Sequence, residues 1–228
     1  MNYGYYKKNF YLDISKHNEE ERYPLQLYHH TATQIDISGS MLLEVGSGRG
    51  GGAVYIQENL KTSSLVGLDI SMEAVNLCNA SFNVPNLSFV QGDSEKMPFE
   101  NEKFDVVLNI ESSHCYGNIN KFLSEVKRVL KINGVFLWCD FRTHVDMEQL
   151  FKTFQSSGFY IQKEKDITKN ILSALEKMTP VRKKQIKKYV PKLIQPVFKS
   201  YAGIQGGDIN NAFLKGQLIY KSATLKTI

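Results

Sequence analysis

The stretch that most constrains this chain is an apolar run that ends at an acidic residue and breaks into glycines, Met41-Leu-Leu-Glu-Val-Gly-Ser-Gly-Arg-Gly-Gly-Gly52. Its apolar part is typical of a strand buried on both faces, and the run 53–60 predicts a helix that starts near Gly51. Glycines let the backbone turn tightly and approach a ligand that a Cβ would hold off. The free N–H groups at the helix start would face a negatively charged ligand group, either a pyrophosphate or an amino-acid carboxylate. The stretch therefore predicts a nucleotide-binding turn.

The glycine spacing alone fits two kinds of nucleotide site. Gly46-x-Gly48-x-x-Gly51 matches the fingerprint of dinucleotide sites, whereas Gly46-x-Gly48-x-Gly50 matches the pattern of a second kind of nucleotide site. Glu44 would project a carboxylate into the mouth of the site, which favours a cationic ligand over a pyrophosphate. Asp69 ends the next predicted strand, where it is placed to bind both ribose hydroxyls. Together the two acids favour S-adenosylmethionine as the ligand.

Length and composition are those of a globular chain with one α/β domain: 228 residues, 42% hydrophobic and 22% charged. No apolar run approaches the roughly 18 residues of a membrane span, and the N-terminus lacks the apolar core of a signal peptide. A cytoplasmic location is therefore expected. The cysteines Cys78, Cys115 and Cys139 are widely spaced, which predicts buried free thiols rather than a disulfide framework or a metal site.

The net charge of +5 is unevenly distributed. Residues 165–200 contain ten Lys and Arg against two acids, so this segment carries +8 and the rest of the chain about −3. A uniformly basic nucleic-acid-binding protein is excluded by this distribution.

From Met41 onward, strand-like and helix-like patterns alternate with short connections. This alternation predicts an α/β fold, a Rossmann-like, doubly wound sheet of seven strands with helices on both faces. The predicted strands are residues 41–45, 65–69, 87–91, 104–109, 134–140, 159–165 and 214–222. Helices are predicted after the glycine turn and over residues 23–35, 73–82, 119–130 and 147–157.

We predict a single domain over residues 1–228 with four parts. They are an N-terminal helical cap (1–40), a cofactor-binding core (41–166), a lid insertion (167–212), and the last strand with its tail (213–228). The insertion precedes the last strand, near the sheet edge where ligands of open α/β sheets bind. Three prolines are expected to cut it into short pieces: Pro180, Pro191 and Pro196.

The insertion is also expected to be amphipathic. The apolar side chains predicted to face an apolar acceptor are Ile171, Leu172, Leu175, Met178, Val197 and Phe198. The basic side chains predicted to face outward, because unpaired charges are costly in an apolar pocket, are Arg182, Lys183, Lys184, Lys187 and Lys188. That outward cluster could draw the protein weakly to an anionic membrane surface.

Three further stretches extend the pattern along the same sheet edge. Gln91–Phe99 places Asp93 just past the third strand, where a carboxylate could accept a hydrogen bond from an adenine amino group. Phe104–Glu111 is a fourth buried strand, and Glu125–Phe136 is a helix, turn and strand. With the glycine turn, and in this order, these motifs resemble the class I S-adenosylmethionine-dependent methyltransferases over nearly the whole chain. Asn133 and Val135 depart from the Pro-Gly-Gly turn that is common in that family.

A narrower resemblance rests on Glu44–Gly52, Asn109–Tyr116 and Cys139–Arg142. These stretches look like the methyltransferases that act on phthiotriol and phenolphthiotriol dimycocerosates and, more distantly, like rebeccamycin-type sugar O-methyltransferases. The resemblance implies that the methionine part lies along Gly46–Gly51, the ribose at Asp69 and Ile70, and the adenine beside Asp93 and Ser94. The implied cofactor-binding residues are Glu44, Gly46, Ser47, Gly48, Arg49, Gly50, Gly51, Asp69, Ile70, Gly92, Asp93, Ser94, Asn109, Ile110 and Glu111.

Methyl transfer to an alcohol requires alignment of the acceptor and removal of its proton. His114, just past the fourth strand, is the predicted general base. Asp140 ends the fifth strand, which this family places beside the fourth, so its carboxylate could hold the imidazole tautomer and stabilise the imidazolium. The predicted activity is O-methylation of a hydroxyl on a small or lipid-like natural product, with S-adenosylhomocysteine as the other product.

Two alternatives stay open at this point. One is C-methylation, as in quinone and sterol biosynthesis, and the other is a non-catalytic module that only holds the cofactor. Nucleic-acid methylation is disfavoured because Asn109–Ser112 lacks an Asn-Pro-Pro-aromatic run. Metal-dependent transfer is disfavoured because Phe141 follows Asp140 where another oxygen ligand would be useful.

Overall fold

The structure, a computed structural model, describes residues 2–14 and 19–227. Its strands are β1 (Met41–Val45), β2 (Ser64–Asp69), β3 (Leu87–Gln91), β4 (Phe104–Ile110), β5 (Leu130–Arg142), β6 (Phe159–Asp166) and β7 (Ile219–Thr227). Its α-helices are α1 (Arg22–Ala32), α2 (Gly51–Asn59), α3 (Met72–Ser81), α4 (Ile119–Val129), α5 (His144–Ser156), α6 (Thr168–Tyr189), α7 (Gln195–Tyr201) and α8 (Asp208–Leu214). Short 3-10 turns lie at Glu19–Glu21, Ser113–Cys115 and Lys192–Ile194.

The strands form one seven-stranded sheet in the order β3-β2-β1-β4-β5-β7-β6. Strands β1 to β5 are parallel, and β7 runs antiparallel between β5 and β6. The strand order reverses between β1 and β4, so the crevice at their carboxyl ends is the place where such sheets bind ligands. The predicted doubly wound α/β fold is confirmed.

Two apolar cores, one on each face of the sheet, follow from the alternation of side chains along the strands. On β1, Leu42 joins the core beneath α1, α2 and α6, whereas its neighbour Leu43 joins the core beneath α4 and α5. Three helices begin at side chains that accept hydrogen bonds from the first-turn amides, as expected of N-caps. These are Ser71 before α3, Asn118 before α4 and Thr143 before α5.

The predicted position of the last strand, residues 214–222, is wrong. Residues up to Leu214 belong to α8, the chain then turns through Gly216 with φ of 68°, and β7 begins at Ile219. The segment Ala223–Leu225 is buried between β5 and β6, and this double pairing fixes the register of β7. Strand β5 likewise begins earlier than predicted, at Leu130, and Asn133 adopts the left-handed conformation (φ 65°).

The predicted break at Pro180 is also wrong, because α6 continues through this residue for 22 residues in all. A proline removes one helical hydrogen bond, but the flanking residues are held by tertiary contacts. Thr179 Oγ1 accepts from Gln205 N at 2.9 Å, and Arg182 donates to two carbonyl oxygens. Pro191 does follow the end of α6, and Pro196 lies in the first turn of α7.

Two expected orientations in the insertion are reversed. Arg182 is buried, not outward, and Val197 and Phe198 are 58% and 49% exposed. Ile171, Leu175 and Met178 are buried as expected, and Leu172 is partly buried against the same core. Cys115 is exposed, whereas Cys78 and Cys139 are buried. None of the helices within residues 2–14 and 19–227 has the length and apolar content needed to cross a bilayer.

Candidate functional site

The glycine turn lies at the carboxyl end of β1, in the crevice of the sheet. Gly46, Gly48 and Gly50 all have positive φ (79°, 53° and 75°), which explains why glycine occupies alternate positions there. Gly48 N donates to Asp69 Oδ2 at 2.7 Å, so the turn is tied to the end of β2. A Cβ built at Gly48 or Gly51 would meet no atom within 4 Å, so this side of the turn is open.

Glu44 is buried beneath the turn with half of its carboxylate unused. Tyr28 Oη donates to Glu44 Oε1 at 2.7 Å, but Glu44 Oε2 has no hydrogen-bond partner in the part of the chain that the structure describes. The same holds for Ser47 Oγ and Asn109 Oδ1. Burial raises the pKa of Glu44 to about 8, the Tyr28 hydrogen bond opposes this shift, and the charge of Asp69 adds to it.

Unpartnered buried oxygens are costly unless something donates to them. Glu44 belongs to β1, Asn109 to the adjacent β4, and Ser47 to the turn, so these oxygens all belong to the carboxyl end of the sheet centre. An ammonium group supplies several N–H donors and a positive charge. The residues present therefore fit the amino-acid end of S-adenosylmethionine, which would bring a cation to Glu44.

The neighbouring strand ends carry the other implied cofactor residues. The two oxygens of Asp69 accept from Gly48 N and from Ser71 N (3.0 Å), which fixes the carboxylate at the tip of β2. Ile70, next to it, is 70% exposed and so is accessible to a ribose held at Asp69. Gly92 N donates to Asp69 O at 2.9 Å, which places Gly92, Asp93 and Ser94 beside β2. Arg49 is exposed on the turn, and Asp93 Oδ1 accepts from Glu95 N.

The residues at the end of β4 are divided between two environments. Asn109 Nδ2 donates to Val45 O at 3.0 Å and so braces β4 against β1 beside the turn. Glu111 points elsewhere, since its Oε2 accepts from Tyr3 N (2.9 Å) and Tyr220 Oη (3.0 Å). Burial raises the pKa of Glu111 to about 7. The structure thus places Glu111 against the N-terminal segment and β7, whereas Ile110, just before it, is buried in the core.

His114 and Asp140 are brought together as the strand order requires. The carboxyl ends of β4 and β5 pair side by side, with Ile110 opposite Cys139. His114 lies in the 3-10 turn after β4, and its Nδ1 is 2.9 Å from Asp140 Oδ1. An ionised carboxylate can only accept, so Nδ1 carries the hydrogen and Nε2 keeps a free lone pair. The His114 side chain is 29% exposed, whereas that of Asp140 is fully buried.

Asp140 is surrounded by donors. Its Oδ1 also accepts from Phe141 N, and its Oδ2 accepts from Ser113 Oγ (2.8 Å) and His114 N (3.0 Å). Arg142 lies 3.1 Å from the same Oδ2. Burial alone would raise the pKa of Asp140, but the hydrogen bond from His114 and the charge of Arg142 outweigh it and hold the pKa below its usual range. Asp140 is therefore a fixed negative charge behind the imidazole.

An aromatic wall extends from His114 away from the glycine turn. The rings of His114 and Phe141 are 4.6 Å apart, and Phe141 also contacts the rings of Tyr3 (5.5 Å), Phe213 (5.9 Å) and Tyr220 (6.1 Å). This wall is assembled from the N-terminal segment, β5, α8 and β7. Phe213 and Tyr220 are buried behind Phe141, so an apolar molecule beside His114 would contact the Phe141 ring.

Sequence reasoning missed Tyr28 and Tyr220 as partners of the two buried carboxylates. For Tyr28 the sequence did contain a signal, which is the third consecutive glycine, Gly52. A Cβ at Gly52 would lie 1.9 Å from the Tyr28 ring. The third glycine of Gly50-Gly51-Gly52 thus makes room for an aromatic ring, not for a ligand. Within the described residues, no group of three or more His, Cys, Asp or Glu side chains is arranged to hold a metal ion.

Comparison with known proteins identifies relatives of this chain. A family described as "Methyltransferase domain" matches residues 43–138. A probable phthiotriol/phenolphthiotriol dimycocerosates methyltransferase 2 of Mycobacterium ulcerans is 37% identical over 195 residues, 86% of this chain and 76% of that protein. A fatty-acid O-methyltransferase of Mycolicibacterium smegmatis is 35% identical over 202 residues, covering 88% and 74% of the two chains.

The fold is shared with solved structures at much lower identity. A putative sarcosine dimethylglycine methyltransferase from Galdieria sulphuraria superposes with a TM-score of 0.79 at 15% identity, over 99% of this chain and 92% of that one. The glycine turn, the buried acid beneath it and the level of identity to full-length relatives lead to one conclusion. The chain belongs to the class I S-adenosylmethionine-dependent methyltransferases, and S-adenosylmethionine is its cofactor.

Proposed function

We propose that this enzyme methylates a hydroxyl group of a small or lipid-like molecule, with His114 as the general base. The observation that carries the proposal is the buried Asp140 carboxylate 2.9 Å from His114 Nδ1, at the foot of an aromatic wall. The printed names of the relatives, a fatty-acid O-methyltransferase among them, support an oxygen acceptor and an apolar substrate.

The cofactor, when bound, supplies a methyl group on a positively charged sulfur. His114 Nε2 takes the proton of the acceptor hydroxyl as its oxygen forms the new bond to carbon, so that no free alkoxide develops. Asp140 holds the ring in the tautomer that exposes Nε2 and stabilises the imidazolium that results. Burial of Asp140 and its four further donors keep this charge in place throughout the reaction.

In this proposal each part of the cofactor is bound by residues at the end of a different strand. Glu44 and the turn Gly46–Gly51, with Ser47 and Asn109, hold the methionine end. Asp69 and Ile70 hold the ribose, and Gly92, Asp93 and Ser94 flank the adenine. Glu111 is reassigned from the cofactor to the acceptor side, because its carboxylate is engaged by Tyr3 and Tyr220.

Residues 167–212 act in this proposal as a cover over the acceptor. Ile171, Leu175 and Met178 of α6 pack in the same core as Phe213 and Tyr220 of the aromatic wall. Arg182 ties this segment to the N-terminus through Asn2 O at 2.7 Å. The two segments would therefore enclose an apolar acceptor together.

The test is to identify the methylated atom. The enzyme is incubated with S-adenosylmethionine and pairs of acceptors, each a fatty acid, long-chain alcohol or phenol with its O-blocked ester or ether as the matched control. We expect a mass gain of one methylene unit and a methoxy resonance only with the free hydroxyl compounds. A new methyl on carbon would establish C-methylation instead, and cofactor binding without methylation of a broad acceptor panel would favour a non-catalytic module.

A further inference from the structure

The surface beyond the aromatic wall carries an unusual concentration of exposed apolar side chains. Six of them fall within 13 residues, and their exposed fractions range from 42% to 92%. We refer to them as the outer patch: Tyr189, Leu193, Ile194, Val197, Phe198 and Tyr201. Isolated exposed apolar residues are ordinary, but a contiguous group of this kind is typical of a surface that contacts a partner or a membrane.

Five of the six residues form one face of a single helical piece because of their spacing, and Tyr189 ends α6 just before that piece. Leu193, Val197 and Tyr201 follow one another at intervals of four residues, and Ile194 and Phe198 repeat the interval beside them. Residues 192–201 run without a break from a 3-10 turn into α7, so side chains four residues apart lie on the same side. No residue of the 3-10 turn or α7 is buried, so the whole piece rests on the surface.

The segment that carries the outer patch is strongly basic. Residues 177–207 contain eight basic residues and no acidic one. Arg182 is buried, which leaves seven lysines. Four of them line a groove of about 950 Å³ on the other side of residues 192–201 from the patch, where Asp208 also lies: Lys183, Lys187, Lys192 and Lys199. A surface of phosphate groups over an apolar layer would complement both the lysines and the patch.

We propose that the outer patch docks this enzyme on the surface of an anionic phospholipid bilayer. Leu193, Val197 and Phe198 enter the boundary between headgroups and acyl chains, Tyr189 and Tyr201 lie at the headgroup level, and the lysines of residues 177–207 attract the protein to the negatively charged surface. Tyrosines suit this level because one end of the ring is apolar and the other is polar. No helix inserts across the bilayer, so the docking is peripheral and reversible.

The patch also adjoins the acceptor side of the enzyme. Tyr3 Oη donates to Tyr201 O at 3.3 Å, and the ring of Tyr3 is 5.5 Å from that of Phe141, which contacts His114. A lipid-like acceptor could thus pass from the bilayer surface to the aromatic wall. This delivery rests on the proposed function, whereas the docking itself does not.

Docking is tested by vesicle sedimentation of the full chain without cofactor or acceptor, so that the result is independent of methyl transfer. Vesicles of phosphatidylglycerol and phosphatidylcholine are compared with vesicles of phosphatidylcholine alone, at low and high salt. We expect sedimentation with the anionic vesicles at low salt and weaker binding in the other conditions. Absence of sedimentation with anionic vesicles at low salt overturns the proposal.

Two matched pairs of variants then locate the contact. Leu193→Asp should abolish sedimentation, whereas Ile132→Asp, at a residue 76% exposed on β5, should not. Lys192→Gln should weaken partitioning onto the anionic vesicles about fivefold, which is the contribution of one basic residue near an anionic surface. Lys121→Gln on α4 should leave this partitioning unchanged. Circular dichroism and cofactor binding establish that each variant is folded.

The same variants exclude another occupant of the patch. If Leu193→Asp and Lys192→Gln sediment like their controls, the lipid contact lies elsewhere and the proposal is wrong. A concentration-dependent dimer, detected by sedimentation velocity and abolished by Leu193→Asp, would assign the patch to a second copy of the chain and would also overturn the proposal.

Discussion

At the scale of single residues, the site combines two carboxyl groups whose pKa values are shifted in opposite directions. Asp140 is buried among donors that hold its pKa low, whereas Glu44 is buried with one oxygen unpartnered in the described chain and a pKa of about 8. The sequence predicted both acids, because each ends a strand at the ligand-binding edge. It could not predict their protonation, since the donors around them come from Tyr28, Ser113 and Arg142 through tertiary contacts.

With a long-chain alcohol as the acceptor, His114→Ala should lower turnover about 10²–10⁴-fold, the usual contribution of a general base, and leave cofactor affinity unchanged. Asp140→Asn should also lower turnover, because an amide cannot hold the imidazole tautomer in the same way. Initial rates and calorimetric cofactor titration measure the two quantities separately. Cys115→Ala, at the exposed neighbour, is the control and should keep the wild-type rate. Wild-type turnover in His114→Ala would remove His114 from the mechanism.

Cofactor binding should release a proton from Glu44. Burial raises the pKa of this carboxyl to about 8, so it is largely protonated at pH 7, and a bound ammonium would favour the ionised form. The affinity for S-adenosylmethionine should therefore rise as the pH increases towards 8. Calorimetric titration at pH 7 in two buffers of different ionisation enthalpy measures the protons released, up to one per cofactor.

Glu44→Gln provides the control for this proton. The amide cannot ionise, so the part of the proton release that is due to Glu44 should disappear, while any part due to Glu111 should persist. Equal proton release by the wild type and the variant would show that Glu44 keeps the same protonation state in the free and the bound enzyme.

At the scale of elements, the alternation of strand-like and helix-like patterns was enough to predict β1, β2, β3, β4 and β6 to within one residue at each end. The central strands β1 and β4 are buried on both faces, so their apolar runs stand out, whereas the edge strands β3 and β6 are bounded by short connections. The last strand was misplaced because Phe213, Leu214 and Leu218 extend its apolar pattern backwards across α8 and a turn. Pairing with β5 and β6 determines that the strand covers residues 219–227. These partners are distant in sequence, so the local residue pattern does not reveal the pairing.

Pro180 should make α6 less stable than it could be. It is exposed, and it leaves the carbonyl of Glu176 without its helical N–H. Replacing the proline with Pro180→Ala should gain about 3 kcal/mol, a helix-propensity difference that already includes the greater freedom of the unfolded alanine chain. We expect a gain of this size in the free energy of unfolding, measured with urea.

Lys184→Ala, at an exposed position one turn later in the same helix, should change the free energy of unfolding by less than about 0.5 kcal/mol. If Pro180→Ala is no more stable than the wild type, the proline is accommodated without a lost interaction, and the continuity of α6 would need another explanation.

At the scale of the whole molecule, the N-terminal segment and the insertion before β7 are joined at Arg182. Its guanidinium donates to Asn2 O and to Ala202 O, and the side chain is buried. The sequence placed Arg182 in an outward basic cluster, because the charge pattern around it is uniform. A contact between residues 180 positions apart does not affect the local pattern of apolar and polar residues. The acceptor side depends on such contacts, so it was less predictable from the sequence than the cofactor side.

Arg182→Met should lower the free energy of unfolding by roughly 2–4 kcal/mol, because two buried carbonyl oxygens lose their donor. Lys183→Met, at the exposed neighbouring position, is the matched control and should lie within about 0.5 kcal/mol of the wild type. Urea unfolding monitored by circular dichroism gives both values. Equal stability of the two variants would mean that water replaces the guanidinium at no cost.

The antiparallel position of β7 has a consequence for the order of assembly. In the sheet, β6 pairs with β7 alone, and β7 lies between β6 and β5, with Arg142 opposite Ile219 across 77 residues of chain. Strands β1 to β5 can associate progressively, whereas β6 has no edge to join until β7 is in place. The two outer strands are therefore added as one late unit, after closure of a long loop that slows folding. Until then the edge of β5 stays open to pairing with other chains.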